Sequence, residues 1–298
     1  MISIGFVGDI MPGGVLVYEG KISSEIKEIF QNLAKTIDVL DQNGIAHFGA
    51  GRNLAEAEKP AIINIKGQTI CFLGYFPPMW EASYPPTDFT GGLNHFYIDK
   101  VIRDVKKYKQ LYDYVFVMPH WGKEHTRLPY TYDVRFAKQI IDAGATGVIG
   151  SHTHTVQPVI KYNGKLVAMS LGNFIFPDRW IVPPRITCYP SEQERKAKNH
   201  PVVYGFPIVK ELTYKKVDDK NREGVVLSVF LDKSSIRFNL KYTTLDNQHI
   251  LRLKRLKISE LIKLKAISIL IFDKWTLSYR IFCKILNIMN RIINKISR

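Results

Sequence analysis

Between Ile98 and Ile149 the chain alternates helical and strand patterns, and each strand pattern stops at a residue able to bind a metal ion. The spacing predicts helices over 98–110 and 131–143 and apolar strands over Tyr114–Met118 and Gly147–Ile149. Such alternation specifies an α/β layered fold whose functional residues gather at strand ends. The second of these strands runs into Gly150-Ser151-His152-Thr153-His154, and the first into Pro119-His120-Trp121-Gly122. A third junction lies at the start of the chain, where the strand pattern of residues 2–7 ends in Gly8-Asp9.

The rest of the chain fits this frame. Strands are expected at 45–48, 61–65 and 69–74, near 156–161 and 165–170, and near 225–232 and 235–243. The pair flanking Asn163-Gly164 reads as a hairpin, because Asn-Gly readily adopts the two positive φ angles of a tight turn. Ser23 to Asn43 reads as one helix, with Ile26, Phe30, Leu33, Ile37 and Leu40 on one face and Asn43-Gly44 as its stop. Residues 77–94 form a Pro-rich loop and 177–223 a charged, Pro-rich excursion. The expected organisation is a domain over 1–250 followed by a basic amphipathic helical tail over 251–298.

Charge narrows the function classes. Of the total of +15, residues 252–298 supply +10, from twelve Lys/Arg against Glu260 and Asp273, which leaves +5 for residues 1–251. An electrostatic case for nucleic acid therefore rests on the tail alone, which carries no recognised docking motif and disfavours that reading. Three distant cysteines, Cys71, Cys188 and Cys283, form neither a disulfide framework nor a zinc motif and point to a reducing compartment. With a strand-like opening in place of a leader pattern, cytoplasmic synthesis and retention is the expectation. No stretch approaches the roughly 18 apolar residues of a spanning helix, so membrane attachment would be peripheral, on the inner face. In the tail, apolar positions from Ile281 to Ile296 recur on one helical face, with Arg280, Lys284, Arg291 and Lys295 largely off it. That stripe suits packing against protein, or an anchor on an anionic membrane surface.

His152 and His154 are two apart, and in an extended segment they would share a face and could converge on a metal. Alone, a His-x-His pair is more often two polar loop residues, Asp9 is as easily a turn or N-cap residue, and His120 as easily a packed neighbour of Trp121. Three strand ends offering carboxylate and imidazole to one cleft are harder to assign to packing. Gly49-Ala50-Gly51-Arg52-Asn53 could cradle an anion, but it matches no phosphate-loop motif and reads better as a structural turn.

At these residues the chain resembles a known family, the capsule-synthesis, poly-γ-glutamate (CapA-type) branch of the calcineurin-like metallophosphatases. The resemblance is carried by Gly5-Phe6-Val7-Gly8-Asp9-Ile10-Met11, the run from Gly44 to Pro60, His120-Trp121-Gly122-Lys123-Glu124, Ala143 to Pro158, and Ser170-Leu171-Gly172-Asn173-Phe174. It implies a layered metallophosphoesterase-like fold of sheets flanked by helices. It also implies metal ligands Asp9, His120, His152 and His154, with Glu124 as an acid beside them and Asn173 approaching from the Gly172 turn. Mixed Asp/His ligation suits Mn, Fe or Zn.

The resemblance exposes a gap as well. Near residues 31–35 the chain lacks an Asn-Leu-Glu segment and an Asn-Asn-His segment followed by Asp, which the family carries there. The remaining ligands suffice for one ion rather than two, and His125 or His47 would have to replace the lost imidazole. The implied function is a metal-dependent protein of capsule or polyglutamate synthesis, acting on a polyanionic polymer or on a phosphorylated or amide substrate. The alternative is a degenerate member that binds metal or polymer without turnover. An amidohydrolase barrel, the other common home of His-x-His, is disfavoured by the pair's position in mid-chain.

Overall fold

The computed structural model describes residues 1–10, 36–78, 85–176, 179–181, 202–203, 206–207, 213–215, 217–232, 235–248 and 250–272. Its centre is a six-stranded sheet built from β4 (Ala61–Ile65), β5 (Gln68–Tyr75), β7 (Tyr114–Pro119), β8 (Gly147–Ile149), β9 (Val159–Tyr162) and β10 (Lys165–Ala168). The strands run in the order β4-β5-β7-β8-β10-β9. The four central strands are parallel, and β4 and β9 close the edges as antiparallel hairpin partners.

Period-two alternation gives this sheet two apolar faces. Cys71, Leu73 and Tyr75 of β5 and Val115 and Val117 of β7 face α3 (Ile98–Lys109) and α4 (Thr131–Asp142). The helices answer with Val101, Val105, Val134, Ala137, Ile140 and Ile141, at helical steps of three and four. On the other face Ile70, Phe72, Tyr114 and Phe116 meet a second, antiparallel sheet. That sheet orders β1 (Ile2–Phe6), β16 (Glu223–Asp232), β17 (Ser235–Leu245) and β18 (Leu251–Leu253) as β1-β16-β17-β18. Phe6 binds the two sheets, its ring 5.2 Å from Phe116 and 6.1 Å from Phe72. Phe116 is fully buried, and burying such a side chain contributes about 1.5–3 kcal/mol. Sheet, sheet and helix layers thus form the α/β class expected from the sequence.

Shorter elements serve the strand ends. β2 (Asp9–Ile10) pairs with β11 (Asn173–Ile175), and β3 (Ala50–Gly51) with β6 (Gly92–Leu93). In the excursion β12 (Arg179–Ile181) pairs with β15 (Thr213–Lys215), and β13 (Val202–Val203) with β14 (Phe206–Pro207). Helix α1 covers residues 36–42, and a short helix α2 (Leu54–Glu58) starts at Asn53, whose Oδ1 accepts from the Glu56 amide at 2.9 Å.

Two expectations are corrected. Residues 45–48 form no strand, and pairing begins at Ala50, because Gly49 at φ 81° turns the chain against Gly74. Within the Gly49–Asn53 loop, read from the sequence as a structural turn, the Arg52 guanidinium is taken by Asp38, Asp41 and Glu56 at 2.6–3.2 Å. The tail does not begin as a helix at 251, because Leu251–Leu253 pair with Thr243–Leu245 and extend the second sheet. The helix Ile258–Phe272 that follows packs on α4 and β9, with Ile267 buried among them.

Of the helix expected over 23–43, residues 36–42 are helical and the part before 36 lies outside the described residues, as does the apolar stripe from Ile281 to Ile296. Among the described residues no helix is long and apolar enough to cross a membrane.

Candidate metal centre

The site lies at the carboxyl ends of the parallel strands, where α/β sheets open a crevice. His120 follows β7, its amide donating to Tyr75 O at 2.9 Å, and Ser151 to His154 follow β8. Gly150 permits this close packing, because a Cβ there would stand 2.1 Å from Met169 O and 2.4 Å from the Trp121 indole nitrogen. Trp121, next to His120, is buried and donates its indole N–H to Met169 O at 3.0 Å.

Asp9 arrives from the second sheet. A Cβ on Gly8 would stand 1.9 Å from Gly172 O, so only glycine lets the chain approach and form the Asp9 N–H bond to that carbonyl at 2.9 Å. The Asp9 carboxylate then accepts from the His152 amide at 3.1 Å and lies 3.6 Å from His154 Nδ1. Burial raises the Asp9 pKa, against the opposing pull of His154 and the His152 amide.

The two histidines do not converge through an extended pleat, as their spacing suggested. His152 stands at φ 88° and His154 at φ 54°, in a turn, with ring centroids 6.1 Å apart. Apart from Lys66 and Asn163 in hairpin turns, the described non-glycine residues at positive φ are His125, His152 and His154. Each such conformation costs on the order of 1–3 kcal/mol, and strain of this kind tends to gather at functional sites.

Donor atoms of Glu124, His152 and His154 lie within 4.8 Å of one another, a spacing that one ion can span. Of the four residues expected as ligands, His152 and His154 belong to this cluster, while Asp9 and His120 sit against it. His120 places its ring 4.5 Å from that of His152, stacks on Phe76 at 4.8 Å and bonds Ser151 Oγ through Nδ1 at 3.2 Å. Glu124, expected beside the ligands, contributes a donor itself.

The chemistry of these groups fits a divalent ion. Burial, reinforced by neighbouring histidines, lowers the His120 pKa to about 3 and that of His152 to about 4, so both imidazoles are neutral at pH 7. Asn173 fixes the tautomer of His154. Its Nδ2 donates to Asn221 O at 2.7 Å, which turns Oδ1 toward His154 Nδ1 at 2.9 Å. The imidazole proton is thereby held on Nδ1, and Nε2 keeps the lone pair a metal requires.

Sequence reasoning passed over Asn221 and left His125 undecided. His125 enters the site directly after Glu124, with its Nε2 3.6 Å from the Glu124 carboxylate and its ring 5.8 Å from that of His154. His47, the other imidazole considered, is bound to Asp41 at 3.0 Å. Asn221 sits on a short 3-10 turn, 48 residues from Asn173, and no local pattern marks it.

Comparison with known proteins identifies the family. A sequence model of the family described as bacterial capsule synthesis protein PGA_cap matches residues 29–178. The PGA biosynthesis protein CapA of Bacillus subtilis (strain 168) is 30% identical over 151 residues, 50% of this chain and 40% of that protein. The capsule biosynthesis protein CapA of Bacillus anthracis is 28% identical over 149 residues, 49% of this chain and 36% of that protein. The matched segment thus spans well under half of each relative. Among solved structures, a Thermus thermophilus sulfate thiohydrolase, SoxB, aligns with a TM-score of 0.36 and 14% identity over 70% of this chain and 28% of that one, too distant to carry an argument. With half its length matched by the family model, and His120, Glu124, His152, His154 and Asn173 all inside the match, this chain belongs to the bacterial capsule synthesis protein (PGA_cap) family.

Proposed function

We propose that the chain binds one divalent transition ion, Mn, Fe or Zn, and acts as a metal-dependent hydrolase in the making of a capsule or polyglutamate polymer. The observation that carries this reading is the cluster of Glu124, His152 and His154, with His154 held in the tautomer that leaves Nε2 bare. When bound, such an ion polarises a phosphoryl or carbonyl oxygen and lowers the pKa of a coordinated water.

The chain's own residues supply the rest. Asp9 keeps its carboxylate against the His152 amide and the His154 ring, countering the charge of an ion and locking the ligand turn. His120 fills the floor beside His152, braced by Phe76 and Ser151. Asn173 holds the proton of His154 on Nδ1. The substrate class is a polyanionic polymer or its phosphorylated or amide-linked precursor, consistent with the family.

A second reading, binding without turnover, is favoured by one sequence observation. The Asn-Leu-Glu and Asn-Asn-His segments are absent near residues 31–35, and with them a carboxylate and an imidazole for a second ion. Metal analysis of the purified full-length chain, paired with hydrolysis of an aryl phosphate, tests both readings. One ion per chain with weak turnover is expected. An ion without turnover favours the second reading. Metal content unchanged by combined His152→Ala and His154→Ala substitution would overturn the centre itself.

A further inference from the structure

We propose that His125, oriented by Asn221, is a substrate-contacting hydrogen-bond donor beside the ion and not one of its ligands. This rests on the reading that an ion binds at Glu124, His152 and His154.

His125 is held by its backbone and by its ring. Its backbone stands at φ 60°, and its amide donates to Thr153 O at 2.7 Å, which fastens it to the turn carrying His152 and His154. Its ring lies against that of His154 with an interplanar angle of 29°. The side chain remains 42% exposed, so the ring is within reach of an incoming ligand.

Asn221 decides which nitrogen carries the proton. Its Nδ2 lies 2.6 Å from His125 Nδ1, and an amide nitrogen can only donate. Nδ1 must therefore present its lone pair, and the proton of the neutral imidazole belongs on Nε2. Nε2 faces the Glu124 carboxylate at 3.6 Å, on the side where the ion would sit. The carbonyl of the same Asn221 accepts from Asn173 Nδ2 at 2.7 Å, and Asn173 holds His154 in the opposite tautomer.

One residue, only 5% exposed, thus sets two neighbouring imidazoles to different tasks. His154 offers a bare nitrogen, which ligates. His125 offers an N–H, which cannot ligate but can donate to an oxygen of a ligand bound at the ion. The matching chemistry is an oxyanion, phosphate or carboxylate. Asn221 lies outside the family match over 29–178, so this arrangement draws on the chain's own carboxyl-terminal half.

Two measurements on the full chain test the proposal. In metal-free protein, imidazole nitrogen shifts should report Nε2–H for His125 and Nδ1–H for His154. By calorimetry, His125→Ala should leave zinc affinity within about threefold of wild type while weakening inorganic phosphate binding to the zinc-loaded protein about tenfold, the scale of one lost hydrogen bond. His125→Gln, whose amide can donate from a similar position, should restore part of that loss and so separates a lost donor from a damaged fold.

If His125→Ala reduces zinc affinity as much as His154→Ala, His125 is a ligand and the proposal fails. Unchanged phosphate binding in that variant, or an Nδ1–H form of His125, also overturns it while leaving the metal reading intact. Wild-type protein that binds no zinc overturns both together.

Discussion

The carboxylate of Asp9 accepts a hydrogen bond from the backbone amide of His152 at 3.1 Å, joining residues 143 positions apart in the chain. Through this bond β2, which follows β1 of the second sheet, sets the turn after β8. Replacing Asp9 by Ala leaves a buried amide unsatisfied, at a cost of about 1–3 kcal/mol. We expect Asp9→Ala to lower the unfolding free energy of the metal-free protein, measured in urea, by that amount and to weaken metal binding. Asp9→Asn, which keeps an acceptor oxygen, should lose less stability. Equal stability of wild type and the Ala variant would show that the bond does not brace the turn.

Asn173 acts on metal binding through His154. Its side chain is buried, and its Oδ1 and Nδ2 are committed to His154 Nδ1 and Asn221 O at 2.9 and 2.7 Å. Removing a partner that orients a ligand histidine typically costs 10- to 100-fold in metal affinity. Asn173→Ala should therefore bind zinc about 10- to 100-fold more weakly in a calorimetric titration. An unaltered affinity would mean that His154 needs no tautomer lock.

Gly150 offers a steric test of how tightly the strand end is built. A Cβ there would meet Met169 O at 2.1 Å and Trp121 Nε1 at 2.4 Å, so the Trp121 bond to Met169 O must break or the strands must part. Overpacking of this kind costs about 1–3 kcal/mol, occasionally more. Gly150→Ala should lower the melting temperature and quench or shift the Trp121 fluorescence. A variant as stable as wild type would show that β8 and β10 can separate freely at this point.

How far the sequence disclosed the site depends on the range of the interactions involved. The apolar alternation of β5 and β7, the helical steps of α3 and α4, and the Asn163-Gly164 turn are local signals, and each element formed close to where its period placed it. The strand ends after β7 and β8 were legible for the same reason, and so were His120, His152 and His154.

The pairing of β2 with β11 was not legible. It depends on Gly8 meeting Gly172 from a distant part of the chain, and two-residue strands leave no period to read. Asn221 was missed likewise, because its role comes from hydrogen bonds to His125 and Asn173 that span 96 and 48 residues. The apparent logic of the His-x-His pair was misleading in detail, since the residues converge through left-handed backbone and not through a pleat.

Asp133 supplies a pH test independent of the metal centre. It lies in the first turn of α4, only 3% exposed, and burial pushes its carboxyl up to about 7 despite a hydrogen bond from the Tyr130 backbone. Unfolded, the same group titrates near 3.8. Between these values the folded protein retains a proton that the unfolded chain has released, so stability contributed by Asp133 is complete below about pH 3.8 and is lost as pH rises through about 7. At about 1.4 kcal/mol per unit, the loss is on the order of 4 kcal/mol. Asp133→Asn, which cannot ionise and keeps an acceptor oxygen, should remove that slope. Urea denaturation of the metal-free proteins at pH 4.0, 5.5 and 7.5, chosen as about the bottom, middle and top of this window, isolates the effect, because all other titrating groups are common to both. We expect the Asn variant to gain on wild type steadily across the series. A stability difference that stays constant with pH would mean that Asp133 is ionised in the folded protein throughout, with solvent or a cation reaching it beneath Gly122.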